Sequence, residues 1–198
     1  MMKKVVLIGD SIRIGYQETV QKELAGVAEV WGPAENGGNS VNVLSNLNGW
    51  VLKRQPDLVH VNCGLHDLKT LAREERELVV PLPFYRRNVE ALFRLIRQHT
   101  AAKIVWASTT PVLTDRIRKA RITPGDFLRY DSDVREFNAA ATAEAKNAGV
   151  PVNDLYSVIT GAGVETCLTG DGVHFTSEAY TRLGEAVAGA IRKQLNLL

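Results

Sequence analysis

The chain reads as an α/β protein of the flavodoxin-like kind, three α/β/α layers around a five-stranded parallel sheet of order 2-1-3-4-5. Three observations predict it. Apolar, β-branched runs alternate with helical stripes along all 198 residues. The first run, Val5 to Ile8, is continuously apolar, as in a strand buried on both faces. Two polar turns, Gly9-Asp10-Ser11 and Gly64-Leu65-His66-Asp67, follow the first and third strands, whose carboxyl ends flank the ligand crevice of that topology.

Taken in order, Gly9 and Asp10 turn the first strand into a helix with Ile14, Tyr16, Val20 and Leu24 on its apolar stripe. Val27 to Trp31 is a second strand, stopped by Gly32-Pro33, and the turn-rich Ala34 to Ser40 leads to a helix carrying Val43, Leu44, Leu47 and Val51. Leu58 to Asn62 is the third strand, and Arg73 to Glu77 is a solvated charge run. Phe84, Asn88, Leu92, Leu95 and His99 predict a helix over Pro83 to Thr100, and Lys103 to Ser108 a fourth strand. A long connection, Thr109 to Tyr130, holds Pro111, Pro124, Gly125 and the cations Arg116, Arg118, Lys119 and Arg121. Loops of that length are usually functional. A helix over Ser132 to Asn147 ends at Gly149, Val150 to Val152 is the fifth strand, and the last helix runs from Thr176 to Leu195. Gly161-Ala162-Gly163 reads as a plain turn.

Composition narrows the function. With 45% hydrophobic and 23% charged residues and a net charge of +2, the chain is an ordinary globular sequence, sized for one domain over residues 1–198. No basic cluster with interleaved aromatics points to nucleic acid, and no apolar run is long enough to span a membrane. The apolar start is too short for a signal h-region, so a cytoplasmic location is expected. Cys63 and Cys167 lack metal-ligand spacing, and neither a metal nor a cofactor is expected.

Ser11, where a central strand gives way to a helix, is either a helix N-cap or a nucleophile beside free backbone N–H groups. A serine nucleophile needs a base, and the base needs a partner that holds its tautomer. His60 within a strand and His99 near a helix end read as structural or solvated. His174 stands in Gly170-Asp171-Gly172-Val173-His174, where one turn lets Asp171 accept from the imidazole. Alone, that loop reads equally as an N-cap turn or half a metal site.

Gly9-Asp10-Ser11, Gly38-Asn39-Ser40, Gly64-Leu65-His66-Asp67 and Asp171-Gly172-Val173-His174 resemble, in order and spacing, the four blocks of the SGNH/GDSL hydrolases. The resemblance spans nearly the whole chain. It implies Ser11 as nucleophile, His174 as general base and then acid, and Asp171 as the residue orienting the imidazole. It further implies an oxyanion hole made by the Ser11 N–H, the Gly38 N–H and a side chain of the third block. There the family has Asn and this chain has His66, whose ring can still present an N–H. Asn62 or Asn39 would be the replacement donors if His66 packs elsewhere.

The expected activity is a serine esterase acting on short, acetyl-type esters, with an acetylated carbohydrate as the small-molecule substrate. The alternatives are a thioesterase or lysophospholipase, or a non-catalytic module binding phosphate or nucleotide at the same crevice. Neither Gly-x-x-x-x-Gly-Lys-Ser/Thr nor Gly-x-Gly-x-x-Gly occurs. The basic connection is a candidate for attracting an acidic sugar or a phosphate-bearing leaving group. Acyl length, alcohol and oligomeric state stay open.

Overall fold

The computed structural model describes residues 2–71, 77–120 and 127–197. Strand β1 (Lys3–Ile8) is its centre, with Val5 to Ile8 no more than 3% exposed. A strand with helices on both faces cannot alternate in and out, which is why this segment reads as an unbroken apolar run. Helix α1 (Ser11–Glu23) and strand β2 (Ala28–Trp31) follow, then α2 (Ser40–Trp50), a 3₁₀ turn (Leu52–Arg54) and β3 (Leu58–Val61). Beyond the turn after β3 come β4 (Thr70–Leu71), α3 (Leu82–His99) and β5 (Lys103–Ala107). The chain continues through α4 (Thr114–Ala120), β6 (Phe127–Leu128), α5 (Asp131–Asn147), β7 (Val152–Asn153), α6 (Leu155–Ala162), α7 (Val164–Cys167) and α8 (Ser177–Leu195).

The main sheet is all-parallel with order β2-β1-β3-β5-β7, which is 2-1-3-4-5 when its own strands are counted. Val5 pairs with Leu58 and Ile8 with Val61, so β1 and β3 end level and their following turns meet at one edge. Helices α1 and α8 pack together on one face and α2, α3 and α5 on the other, as right-handed crossovers require. The α1–α8 contact is close because two glycines permit it: a Cβ on Gly15 would stand 2.2 Å from the Tyr180 ring, and one on Gly184 2.5 Å from Thr19.

Three expectations need correction. The connection from Thr109 to Tyr130 is not a bare loop, since it holds α4, anchored by the fully buried Ile117, and β6. β6 pairs antiparallel with β4 as a two-stranded ribbon, a non-local pairing with no period to read in two residues per strand. Gly161-Ala162-Gly163 is not a free turn: Gly161 and Ala162 finish α6, and Gly163 caps it with φ +97°. The fifth main strand lies at Val152–Asn153 rather than Val150 to Val152. Arg121, Pro124, Gly125 and most of the run from Arg73 to Glu77 lie outside the described residues.

Candidate active site

Ser11 opens α1, where the first backbone N–H groups have no intrahelical acceptor. Asp10 is the N-cap and accepts from the Ile12 N–H at 2.9 Å. Burial raises the Asp10 pKa, against the Ile12 N–H and the nearby Arg129, His174 and Arg13 side chains. A Cβ on Gly9 would lie 2.6 Å from that of Arg13, so the bend that presents Ser11 needs glycine there.

The second turn is tied to the first. Gly37 donates to the Gly9 carbonyl at 3.0 Å, and a Cβ on Gly37 would stand 2.5 Å from the same oxygen. From α1 the buried Arg13 reaches under this segment to the carbonyls of Pro33 at 2.8 Å and Glu35 at 2.9 Å. Gly38 has φ +62°, and its N–H donates to the side-chain oxygen of the exposed Asn36 at 2.8 Å. Asn39 caps α2 through its side chain, accepting from Asn42, and Asn62 donates to the Ala107 carbonyl. Both are thereby engaged in structure.

The third turn brings two functional-looking side chains. Asp67 takes the Ser40 N–H on both carboxylate oxygens, at 2.9 and 3.0 Å, and the Ser40 hydroxyl at 2.5 Å. It thereby fastens the start of α2 to the end of β3. Burial pushes its carboxyl up to about 7, although the Ser40 bonds oppose the shift. His66 has, among the described residues, no hydrogen-bond partner on either ring nitrogen. Burial, reinforced by Lys69, Arg129 and His174, lowers its pKa to about 3, so the ring is neutral.

The last loop is a rigid local device. Leu168 bridges Phe175, and Thr169 and His174 close the loop through an N–H to carbonyl bond of 2.8 Å. One oxygen of Asp171 accepts from the Thr169 hydroxyl and the Val173 and His174 N–H groups, leaving the other for His174 Nδ1 at 2.5 Å. Partial burial acts to raise the Asp171 pKa, but these bonds outweigh it and hold the carboxyl well below its usual range. His174 Nε2 lies 2.9 Å from Ser11 Oγ, across 163 residues of sequence. Gly172, at φ +72°, backs onto α4: a Cβ would stand 2.5 Å from the Leu113 carbonyl. Arg116 donates to the Leu168 carbonyl at 2.7 Å and clamps the loop from behind.

Hydroxyl, imidazole and carboxylate thus form one continuous hydrogen-bonded line, the geometry that lets a serine lose its proton as it attacks. A family model described as the GDSL-like Lipase/Acylhydrolase family matches residues 7–182. The chain belongs to that family. As a GDSL-like acylhydrolase it is a hydrolase acting on esters. Similar solved structures are the lipase/acylhydrolase from Enterococcus faecalis, 24% identical over 98% of this chain and 97% of that one with TM-score 0.80, and a GDSL-like lipase from Bacteroides thetaiotaomicron, 22% identical over 97% and 89% with TM-score 0.75. An acetyl xylan esterase, AlAXEase, superposes at TM-score 0.74, with 17% identity over 95% of this chain and 99% of that one. A search of curated protein sequences finds no match.

His60 and His99 stay apart from this line. His60 is buried in β3 against Asn153, its pKa lowered to about 3 by burial, and His99 is exposed at the end of α3. Cys63 and Cys167 are free and buried. No group of three or more His, Cys, Asp or Glu able to hold a metal occurs among the described residues, and no described helix is long and apolar enough to cross a membrane. Arg13 carried no sequence signal for its hold on the second turn, because a lone arginine says nothing of which carbonyl it will reach.

Proposed function

We propose that this acylhydrolase is a serine esterase for short acyl groups, acetyl first, on a carbohydrate alcohol. The supporting observation is the unbroken line from Ser11 through His174 to Asp171. Ser11 Oγ attacks the ester carbonyl while His174 Nε2 takes its proton, and ionised Asp171 holds the Nδ1–H of the resulting imidazolium. The tetrahedral oxyanion is met by the Ser11 N–H, the Gly38 N–H and the ring N–H of neutral His66. In the free site Asn36 occupies the Gly38 N–H, and its exposed amide gives way to the substrate oxygen. His174 then protonates the departing alcohol, and water releases the acyl group from Ser11 by the same steps.

Two observations favour a small acyl group. Cavities of about 570, 520 and 460 Å³ lie elsewhere, and none of the three is lined by Ser11, His66 or His174. One protein of the same fold is an acetyl xylan esterase, which makes an acetylated sugar the first substrate to try. The test is covalent labelling by a fluorophosphonate together with rates on p-nitrophenyl esters of increasing length and on acetylated xylo-oligosaccharides. Labelling should vanish in Ser11→Ala with turnover down ~10⁴-fold or more, and rates should fall from acetate upward. Labelling that survives Ser11→Ala, or a preference for long chains, refutes the proposal.

A further inference from the structure

Arg129 follows β6, and the pairing of Thr70 with Leu128 sets it level with Lys69 at the end of the ribbon. It is only 4% exposed, and its Nε donates to the Leu65 carbonyl at 2.7 Å. A buried guanidinium is costly to desolvate and to order, and a hydrophobic side chain of the same reach would fill the space at less cost. Among what the arginine supplies is a directed donor at the Leu65 carbonyl, which belongs to the residue before His66.

The turn it touches is held on either side of that peptide, where the Cys63 carbonyl accepts from the Tyr85 hydroxyl at 2.9 Å and Asp67 accepts from Ser40, and Arg129 holds the Leu65 carbonyl between them. Gly64 stands at φ +155°, with Thr109 Oγ1 filling the place a Cβ would take, and one helical turn follows in which Asp67 and Leu68 both donate to the Gly64 carbonyl. A single turn is too short to hold its own shape. The His66 ring has no hydrogen-bond partner among the described residues, so where its backbone stands bears directly on where its N–H lies. An oxyanion donor must be held to within a few tenths of an ångström to count.

We propose that Arg129 is a positioning residue for ester hydrolysis, holding the Leu65–His66 peptide so that the imidazole N–H of His66 points at the oxyanion formed on Ser11. This rests on His66 being an oxyanion donor, as proposed above. Its charge works in the same direction: beside burial, and with Lys69, it disfavours a second proton on the ring, which stays a neutral dipole.

A double-mutant cycle tests it, with kcat and KM measured on p-nitrophenyl acetate for Arg129→Met, His66→Ala and the pair. Arg129→Met should lower kcat ~10- to 100-fold while KM changes less than ~3-fold, because the loss is felt in the transition state. In the His66→Ala background the same change should cost less than ~3-fold more, since there is no ring left to aim. Arg129→Lys keeps charge and stem without the directed Nε donor; it should recover part of kcat, and it runs the same cycle if the methionine variant does not fold. Equal losses in both backgrounds would reduce Arg129 to general packing and overturn the inference while leaving the role of His66 intact. A near-normal kcat in His66→Ala would instead remove the oxyanion assignment, and the inference with it.

Discussion

Two regions of the molecule invite opposite readings. The cavity of about 570 Å³ lined by Leu113, Arg116, Lys119, Asp131, Tyr156 and Glu165 has the size of a ligand pocket, and neither Ser11 nor His174, at the crevice where β1 and β3 end, lines it. Their polar groups reverse the ranking. In the cavity, Arg116 pairs with Glu165 at 2.8 Å and serves the Leu168 carbonyl, Tyr156 donates to Asp131 at 2.9 Å, and Arg135 pairs with the same carboxylate. At the crevice, Ser11 Oγ meets His174 at the mouth, and the His66 ring has no hydrogen-bond partner among the described residues. Polar groups bonded only to the frame make structure, whereas Ser11 and His174 bond to each other with the His174 side chain 45% exposed.

The sharpest way to break this contrast is at Asp171. Asparagine keeps an acceptor for the Thr169, Val173 and His174 donors, yet can offer an N–H to His174 Nδ1 and so select the tautomer that cannot take the Ser11 proton. Asp171→Asn should leave the loop folded and lower kcat by ~10⁴-fold near neutral pH. Turnover within tenfold of the parent, with unchanged folding by circular dichroism, would show that the carboxylate only shapes the loop.

How much of this could be read from the chain follows from the range of each contact. The bend before Ser11 and the Asp171–His174 turn are local, so glycines and short polar spacings carry them in sequence. The buried central strand is legible as an unbroken apolar run, and the sheet order follows from the alternation of five strands with helices. The hydrogen bond between Asn36 and the Gly38 N–H is local as well, since an Asn two residues ahead of a glycine turn can bond its own backbone, yet the residue types there mark the segment only as a turn-rich loop. Long-range dependences were not legible. The ribbon joins residues 58 apart in sequence through two-residue strands, and Arg129 acquires its place only when that ribbon forms. Arg116, grouped by sequence with the candidate cations for an anionic substrate, turns instead to the loop carbonyls, while Arg118 pairs with Asp115 at 3.1 Å.

A second prediction concerns the anchoring carboxylate of the crevice. Asp67 titrates at about 7 in the folded protein, against about 4 for an aspartate in an unfolded chain. Between those values the folded state holds the proton more tightly, so the Asp67 contribution to stability falls as pH rises from 4 to 7 and is level above. Asp67→Asn carries no such charge. Measured by urea denaturation, the stability difference should swing toward the variant by up to about 4 kcal/mol across that window. Parallel stability curves for the two proteins would show that the buried carboxyl is not what titrates there.

The smallest effects belong in the large cavity, where two cations a turn apart should behave differently. Arg116 holds the Leu168 and Glu165 carbonyls, so Arg116→Gln should cost about 1–2 kcal/mol of stability through the donors it withdraws. Lys119 is exposed, and Lys119→Gln should stay within about 0.5 kcal/mol of the parent. It should likewise leave kcat/KM for neutral and for anionic acetyl esters within twofold of the parent, as about 0.4 kcal/mol of transition-state binding would require. A loss above about fivefold confined to the anionic ester would mean that this cavity receives part of the substrate, and the division between a satisfied pocket and an unsatisfied crevice would no longer stand.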